Sequence, residues 1–439
     1  MKKIFLGLIF FSISLCKAQV LPVKDQAKII NELLAERLNT LLPILMERTG
    51  IEMWVLVSRE YNEDPVLRTM LPAEWLNARR RTILVYYNNP EKKIYEKLAI
   101  ARYDVGDNIK ASWDMQKFPN QWDALVDIIK TRNPKNIAVN TSEDFGHADG
   151  LDQTDYFQMM QKLPVPFRSK IVSAESLAVA WLETRTKHEM ELYPQLIEAT
   201  HNIIAEGFSA KVVKPGVTTT EDLVWWFRQK IRDLGYDTWF HPSVSIQRND
   251  PENFEHLRSF SSRPQLDTVV PGDLLHVDFG ITYLRLNTDV QQHAYVLKPG
   301  ETVAPKSLQA AFEKANRLQD ILTSNFKEEK TGNQILAASL SQARKEGLQP
   351  TIYTHPIGYH GHAAGPTIGL WDQQNGVPGS GDYPMQYNTA YSIELNAASE
   401  IPEWKKSVRI MLEEDGYFDE NGFRYINGRQ KEMYLIPAQ

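Results

Sequence analysis

The sequence is almost free of cysteine, because Cys16 is the only one among its 439 residues. One cysteine cannot close a disulfide within the chain, so the folded state has to be stabilised by its hydrophobic core. A metal site downstream of residue 16 would have no thiolate ligands and would depend on carboxylate and imidazole groups. The shortage of cysteine therefore excludes a disulfide scaffold and a zinc–thiolate centre.

Basic residues are fewer than acidic residues, which limits the classes of binding partner. The chain has 49 lysine and arginine residues against 55 aspartate and glutamate residues, a formal net charge of −6. An acidic chain is not typical of proteins that bind phosphate backbones, so we expect no nucleic-acid partner. The sequence contains no tandem repeat and no low-complexity tract. After the N-terminus it has no apolar run long enough to span a membrane.

Residues 1–18 have the three parts of a secretory signal peptide. Two lysines begin it, residues 4–15 form an apolar core, and Cys16 and Ala18 stand at the −3 and −1 positions. We therefore predict cleavage before Gln19 and export to the periplasm or the medium. Loss of three lysines would change the formal net charge to −9. Lipidation at Cys16 is an alternative, but Leu15 stands where a small residue is needed.

The length of the chain favours two domains, and the apolar pattern divides it near residues 172–186. In residues 19–175, strand-like apolar runs alternate with amphipathic stretches, which predicts a small α/β domain. In residues 186–439, long amphipathic helices accompany alternating strand patterns, which predicts helices packed on an antiparallel sheet. A capping box at residues 218–221 is expected to begin one of these helices. The predicted fold class is α+β.

Two aspartates eleven residues apart are the first functional signal. Asp278 lies in an apolar run, residues 274–279, and Asp289 lies in a second β-forming run, residues 284–296. If the runs pair as a hairpin, the two carboxylates face the same space, and their repulsion raises one pKa unless a cation is present. A pair of divalent metal ions would relieve this repulsion. The alternative is that both aspartates are turn or cap residues.

Three further residues extend this set of candidate ligands. His355 is followed by Gly358 and, seven residues on, by His362, while Glu394 lies on an alternating strand and Glu413 precedes a turn. Four carboxylates with one imidazole suit Mn²⁺, Zn²⁺ or Co²⁺. His355 has the alternative of a core histidine satisfied by backbone, and Glu413 that of an exposed hairpin end.

These residues resemble the pita-bread metallopeptidase family, which includes aminopeptidase P, prolidase and methionine aminopeptidase. The matching motifs are Gly272-Asp-Leu, Asp278-Phe-Gly, Asp289, His355-Pro-Ile-Gly358, His362, Ser392-Ile-Glu394, and Glu413-Glu-Asp before Gly422. The resemblance covers about residues 186–439. The layout of residues 19–175 is similar to a creatinase-type N-terminal domain, which favours the proline-specific branch.

The resemblance implies a role for each of the five ligands. Asp278 would chelate one metal ion, and Asp289 and Glu413 would bridge two. His355 and Glu394 would hold the second ion. A hydroxide bridging the ions would attack the scissile carbonyl, because bound metal lowers the pKa of water.

The same resemblance implies the catalytic residues. Glu394 would carry a proton from the nucleophile to the leaving amine. His362, and an upstream histidine that we predict to be His256, would hydrogen-bond the substrate or the tetrahedral intermediate. His256 has the alternative of an ordinary loop residue, because its interval to Asp278 is longer than is usual in the family.

The chain departs from the family pattern at two other points. Pro356 follows the ligand histidine where glycine is usual, and Met411 replaces an arginine two residues before the last glutamate. Arg409 lies on the same face of that strand if the strand is regular. Glu414 is the alternative to Glu413 as ligand in a shifted register; strand parity and the spacing to the turn glycine favour Glu413.

These observations predict an exported, dinuclear metallopeptidase that cleaves the Xaa-Pro bond at the N-terminus of peptides or in dipeptides. Its partner would be a small proline-containing peptide, and homo-oligomerisation stays open. One rival is a creatinase-like amidinohydrolase, which predicts loss of ligand carboxylates. The other is a non-catalytic peptide-binding module on the same fold.

Overall fold

The computed structural model describes residues 20–249 and 267–438. The predicted signal peptide and His256 lie outside these ranges. Across the described ranges, no helix combines the length and apolar character needed to cross a membrane.

The N-terminal part of the chain forms one mixed sheet covered by helices. The helices are α1 Val23–Glu36, α2 Leu42–Thr49, α3 Pro65–Thr69, α4 Gln121–Arg132, α5 Gln153–Lys162, α6 Val165–Arg168 and α7 Glu175–Glu183. The strands are β1 Met53–Arg59, β2 Arg81–Asn89, β3 Ile94–Ile100, β4 Lys110–Ala111, β5 Ile137–Val139 and β6 Ile171–Ser173. Their order in the sheet is β4-β3-β2-β1-β5-β6.

Strand β1 is apolar on both faces because helices cover both sides of the sheet. Met53 and Val55 pack with α4 and α5, while Trp54 and Leu56 pack with α1, α2 and α7. Continuous apolar strands are typical of sheets buried on both faces. Helix α7, which follows the predicted domain end at residue 175, contributes Trp181 to this N-terminal core.

A buried ion cluster joins this layer to the start of the second half of the chain. A π-helical turn, Arg37–Leu41, separates α1 from α2 and directs the guanidinium of Arg37 inward. Arg37 Nη1 lies 2.9 Å from Glu189 Oε2, and Arg185 Nη1 lies 3.5 Å from Glu189 Oε1. Burial raises the pKa of Glu189, but the guanidinium groups of Arg185 and Arg37 outweigh it and lower that pKa. Glu189 is therefore the anion between two buried cations.

Replacing Glu189 by glutamine is expected to lower the stability of the fold by about 3 kcal/mol, because two buried guanidinium groups lose their counter-charge. The glutamine keeps the side-chain shape needed at the third position of a capping box. Thermal and urea unfolding of Glu189→Gln measure the loss. Glu191→Gln, on the exposed side of the same helix, is the control, and an equal loss in both variants would contradict this account.

The C-terminal part combines helices and antiparallel strands. The helices are α8 Lys187–Gly207, α9 Thr220–Leu234, α10 Lys306–Ser324 and α11 Gly332–Lys345. The strands are β7 Ser243–Gln247, β8 Leu274–Phe279, β9 Thr282–Tyr283, β10 Leu286–Asn287, β11 Val290–Val296, β12 Gln349–Ile352, β13 His355–Ile357, β14 Thr389–Ser392, β15 Leu395–Ile401, β16 Lys406–Leu412, β17 Asp415–Asp419, β18 Gly422–Tyr425 and β19 Tyr434–Ile436.

Three sheets lie between two pairs of helices. They have the orders β19-β11-β8-β7, β12-β15-β16 and β13-β14-β17-β18. Helices α8 and α9 share a core with β7, β8 and β11, and α10 and α11 share a core with β12, β15 and β16. The amphipathic helices thus bury their apolar faces against the sheets.

Some element bounds differ from those predicted. The run 284–296 is not one strand, because Leu284 and Arg285 adopt positive φ and form the turn of the small β9–β10 ribbon. The predicted capping box lies one residue later. Thr219 Oγ1 accepts from Asp222 N at 3.1 Å, and Asp222 Oδ2 accepts from Thr219 N at 2.9 Å. The sequence left the position of the capping box ambiguous, because three threonines, residues 218–220, follow one another.

The chain crosses three times between the three-stranded and the four-stranded sheet. It passes from β12 to β13, from β14 to β15 and from β16 to β17, moving each time between the three-stranded and four-stranded sheets. His355, Glu394 and Glu413 lie at these crossings. Side chains at such crossings are directed into the space between sheets, which explains how distant residues meet.

Candidate metal centre

Five side chains converge where the β8–β11 pair meets these crossings. Asp278 lies on β8, Asp289 immediately precedes β11, and the remaining three come from the crossings. Three overlapping groups have ligand atoms within 4.8 Å of one another. These are Asp278, Asp289 and Glu413; His355, Glu394 and Glu413; and Asp289, His355 and His362. The structure therefore brings together all five residues that the sequence nominated as metal ligands.

The imidazole of His355 faces this cluster with its Nε2 atom. Nδ1 lies 2.9 Å from the carbonyl oxygen of Pro356, which can only accept, so Nδ1 carries the proton. Nε2 lies 3.6 Å from Glu413 Oε1, 3.8 Å from Asp289 Oδ2 and 3.9 Å from Glu394 Oε2. These distances are too long for hydrogen bonds.

Burial and mutual repulsion act strongly on the carboxylates. Burial raises the pKa of Asp289 well above its usual value, and the nearby charges of Glu413, Asp278 and Glu394 raise it further. Burial also raises the pKa of Glu394 well above its usual value, with added repulsion from Glu413 and Asp278. In the absence of a cation, these two carboxyl groups are therefore harder to ionise than exposed ones.

The donor set fits divalent metal ions. Asp289 Oδ1 and His355 Nε2 are buried and have no hydrogen-bond partner, and such orphaned atoms are costly unless a ligand occupies the space. Two ligand atoms each about 2.1 Å from one ion stand roughly 3–3.6 Å apart, close to the separation of His355 Nε2 from its carboxylate neighbours. Oxygen ligands with one imidazole are compatible with Mn²⁺, Zn²⁺ or Co²⁺.

The geometry distinguishes Glu413 from Glu414. Glu413 Oε1 accepts from Ser392 Oγ at 2.6 Å inside the cluster. Glu414 points to the opposite side, where Oε2 lies 2.6 Å from His201 Nε2 and Oε1 accepts from Gln430 N at 2.9 Å. Glu414 is thus engaged away from the cluster.

His362 lies at the solvent side of the cluster. Its ring contacts that of His355 edge-on, with centroids 4.7 Å apart, and that of Trp239, with centroids 5.0 Å apart. Trp239 Nε1 donates to Thr288 O at 3.0 Å, which holds the indole in place. Desolvation and the neighbouring His355 lower the pKa of His362 to about 4. The ring is neutral at pH 7 and retains one N–H donor.

Pro356 fits its position without disrupting a strand ladder. It lies in β13, at the edge of the four-stranded sheet, where proline is tolerated. Its carbonyl oxygen accepts from Ala363 N at 3.0 Å as well as from His355 Nδ1. The backbone carbonyl at this position therefore orients the neighbouring histidine, and proline in place of glycine does not remove that contact.

The sequence analysis missed Gln291, which lies in the middle of the cluster. Gln291 Nε2 donates to Glu394 Oε1 at 2.5 Å and to Glu413 Oε2 at 2.8 Å. His276 Nε2 lies 2.8 Å from Gln291 Oε1, which fixes the amide so that its N–H groups face the glutamates. The available signal was strand parity, since Gln291 follows Asp289 by two residues and pairs with Asp278 across the ladder.

Replacing Gln291 by leucine is expected to weaken metal binding about tenfold or more, because groups that orient metal ligands typically contribute 10- to 100-fold in affinity. Competition with a fluorescent chelator measures this change. Gln292→Leu is the matched control, since its amide is buried on the other face and donates to Glu414 Oε1 at 2.7 Å. Equal affinities in the two variants would show that Gln291 does not orient the ligands.

Comparison with known families identifies the class of protein. The model of metallopeptidase family M24 matches residues 195–415, about half of the chain. The chain therefore belongs to this family, which confirms the resemblance stated from its motifs. M24 proteins are metal-dependent peptidases, so peptides are the substrate class of the family. Searched by sequence, the chain matches no curated protein.

Solved structures share the whole fold at low sequence identity. An X-Pro aminopeptidase from Thermotoga maritima MSB8 is similar with a TM-score of 0.61 and 16% identity, over 89% of this chain and 99% of that one. An Xaa-Pro dipeptidase from Bacillus anthracis has a TM-score of 0.57 and 15% identity, over 94% and 100%. A prolidase from Pyrococcus furiosus has a TM-score of 0.53 and 13% identity, over 88% and 99%. These matches confirm the predicted pita-bread fold.

Proposed function

We propose that this protein is an exported, dinuclear metallopeptidase that hydrolyses the Xaa-Pro bond at the N-terminus of peptides or in dipeptides. The observation that carries the proposal is the convergence of Asp278, Asp289, His355, Glu394 and Glu413. Similarity to an X-Pro aminopeptidase and an Xaa-Pro dipeptidase over nearly their full lengths supports the choice of the proline bond. Export rests on the predicted signal peptide.

The grouping of the ligand atoms supports the ligand roles that the family resemblance implies. Asp278 and His355 belong to different groups of ligand atoms, and Glu413 belongs to both. Asp278 would hold one ion, His355 and Glu394 the other, and Asp289 and Glu413 both. When bound, the ions would supply an acidified water molecule and polarise the scissile carbonyl.

The chain's own residues would position and protonate the substrate. Glu394 would accept a proton at Oε2, because Oε1 already accepts from Gln291, and would deliver it to the proline nitrogen as the bond breaks. His362, neutral at pH 7, would donate its N–H to the substrate's carbonyl oxygen. Trp239 would keep that ring directed at the cluster. His256 is retained in the proposal as a second donor.

Neither rival function has an observation in its favour. The four carboxylates and the histidine are all present and face one another, whereas the amidinohydrolase reading predicts loss of ligand carboxylates. The departure at Pro356 does not favour a non-catalytic module, because the backbone carbonyl at that position still accepts from His355 Nδ1.

Metal analysis combined with a paired peptide assay tests the proposal. We expect about two equivalents of divalent metal and cleavage of Xaa-Pro-Xaa or Xaa-Pro peptides, with matched Xaa-Ala peptides left largely intact. Tripeptide and dipeptide substrates separate aminopeptidase from dipeptidase activity. Metal with preferential Xaa-Ala cleavage would overturn the proline specificity. Peptide binding without metal or cleavage would overturn the enzyme assignment. Mass analysis of secreted protein tests export, with Gln19 expected as the first residue.

A further inference from the structure

A groove in the N-terminal domain concentrates positive charge on an otherwise acidic chain. It encloses about 790 Å³ and is formed by the ends of β1 and β2, the segment after β3 and the start of α4. Its basic lining residues are Arg59, Arg79, Arg80, Arg81 and Arg102, and its one acidic lining residue is Glu60. All of them lie between residues 59 and 121, whereas the candidate metal ligands lie between residues 278 and 413.

Two of the arginines are committed to structure. Arg59 Nε and Nη2 each donate to Asp155 at 2.9 Å, and Arg81 Nη1 reaches the same carboxylate at 3.2 Å. Arg81 Nε also donates to Gln121 Oε1 at 2.9 Å. The side chain of Asp155 is nearly inaccessible, with 1% exposure. Arg59 Nε also lies 3.5 Å from Asp152 Oδ2, so the charges of Arg59 and Arg81 are balanced by neighbouring carboxylates.

The other three arginines lie at the surface of the groove. Arg79, Arg80 and Arg102 are exposed, and among residues 20–249 and 267–438 no carboxylate lies within ion-pair distance of their guanidinium groups. Glu60, the acidic lining residue, accepts instead from the backbone nitrogen of Arg80, at 3.2 Å. The groove therefore has more cationic than anionic groups free for a ligand.

Aromatic side chains hold this charge in position. The guanidinium of Arg79 lies 4.5 Å from the ring centre of Trp75 and 5.5 Å from that of Tyr103. Stacking of this kind restricts a long side chain before any ligand arrives, which lowers the entropy lost on binding. The start of α4 also lines the groove, and a helix N-terminus favours a negative ligand.

We propose that this groove is a second binding site, which takes a small molecule carrying two or more phosphate or carboxylate groups. Planar guanidinium groups match both anions with paired hydrogen bonds. The volume is that of a small-ligand site. A long polyanion would need a basic track, and the acidic balance of the chain does not favour one.

Calorimetry with the full chain tests the site, using tripolyphosphate and citrate as phosphate and carboxylate probes. We expect saturable binding that weakens as salt rises, and at least a tenfold loss of affinity in the triple variant Arg79→Gln, Arg80→Gln, Arg102→Gln. The preferred probe identifies the anion class. Far-ultraviolet circular dichroism checks that the variant is folded.

The matched control is the triple variant Arg232→Gln, Arg344→Gln, Lys345→Gln, which changes the net charge equally at exposed helix ends. It is expected to bind as the unmodified protein does. Chelation of metal by the probes occurs in both variants and cancels in the comparison. Absence of saturable binding to the unmodified protein, or an equal loss in both variants, would overturn the proposal.

Discussion

Replacing Glu413 by glutamine is expected to reduce peptidase activity by about a thousandfold, equivalent to about 4 kcal/mol of transition-state stabilisation. The glutamine preserves the size of the side chain but removes a charge that the proposed mechanism assigns to both ions. The partial positive charge of its amide N–H groups would also repel a cation. Metal analysis of Glu413→Gln should show loss of at least one equivalent, because a neutral amide oxygen attracts a divalent cation less strongly than a carboxylate does.

Glu414→Gln is the matched control for this prediction. Both glutamates are about 1% exposed and adjacent in sequence, yet only Glu413 faces the cluster. Glu414→Gln weakens the contact with His201, so a small drop in melting temperature is expected with metal content preserved and activity within severalfold. If Glu414→Gln lost both metal and activity while Glu413→Gln kept them, the shifted register would be correct.

The convergence of the five side chains was predictable because strand parity and motif spacing act locally. Asp278 lies within an apolar strand, so its neighbours fixed the face it occupies, and the eleven-residue interval placed Asp289 at the start of the partner strand. Helix ends were also predictable where glycine has positive φ, as at Gly50 and Gly235. These features depend on a few neighbouring residues.

Features set by contacts between distant segments were not predictable. A β-bridge positions Gln291. Its backbone nitrogen donates at 3.0 Å to the backbone oxygen of Glu413, which is 122 residues away in the sequence. The groove depends on β1, β2 and the segment after β3 ending side by side. Arg79-Arg80-Arg81 is by itself a short charged stretch and carries no sign of a groove. Strand parity could place Gln291 on the same face as Asp289. It could not show the contact with Glu413 or the grouping of the arginines, because periodicity describes one element at a time.

Removing the metal with a chelator at pH 8 is expected to lower the stability of the protein by roughly 4 kcal/mol for each ion that is present at a thousandfold excess over its Kd. The cause is the crowding of buried carboxylates that the ions otherwise neutralise. Thermal unfolding of loaded and chelated protein measures this difference. An unchanged melting temperature after verified metal removal would contradict a structural contribution from the site.

The stability difference between loaded and chelated protein should shrink as the pH falls from 8 to 6. In the metal-free protein the pKa values of Asp289 and Glu394 are raised above those of the unfolded chain. The folded state therefore binds more protons, and its stability rises as pH falls toward the unfolded pKa of about 4. In the loaded protein these carboxylates bind cations and cannot gain from protonation. Lower pH also weakens metal binding, so both effects narrow the difference.

The comparison of loaded with chelated protein separates this site from other buried acids. Burial also raises the pKa of Asp64 to about 6 and that of Glu183 to about 8, but these groups contribute equally to both forms and cancel in the difference. Asp289→Asn provides a second control, because removing one carboxylate should make the chelated variant more stable at pH 8 than the chelated parent. Two results together would contradict this account: a chelated parent that is less stable at pH 6 than at pH 8, and a stability difference between loaded and chelated protein that does not change with pH. They would show that the carboxylates are not crowded in solution.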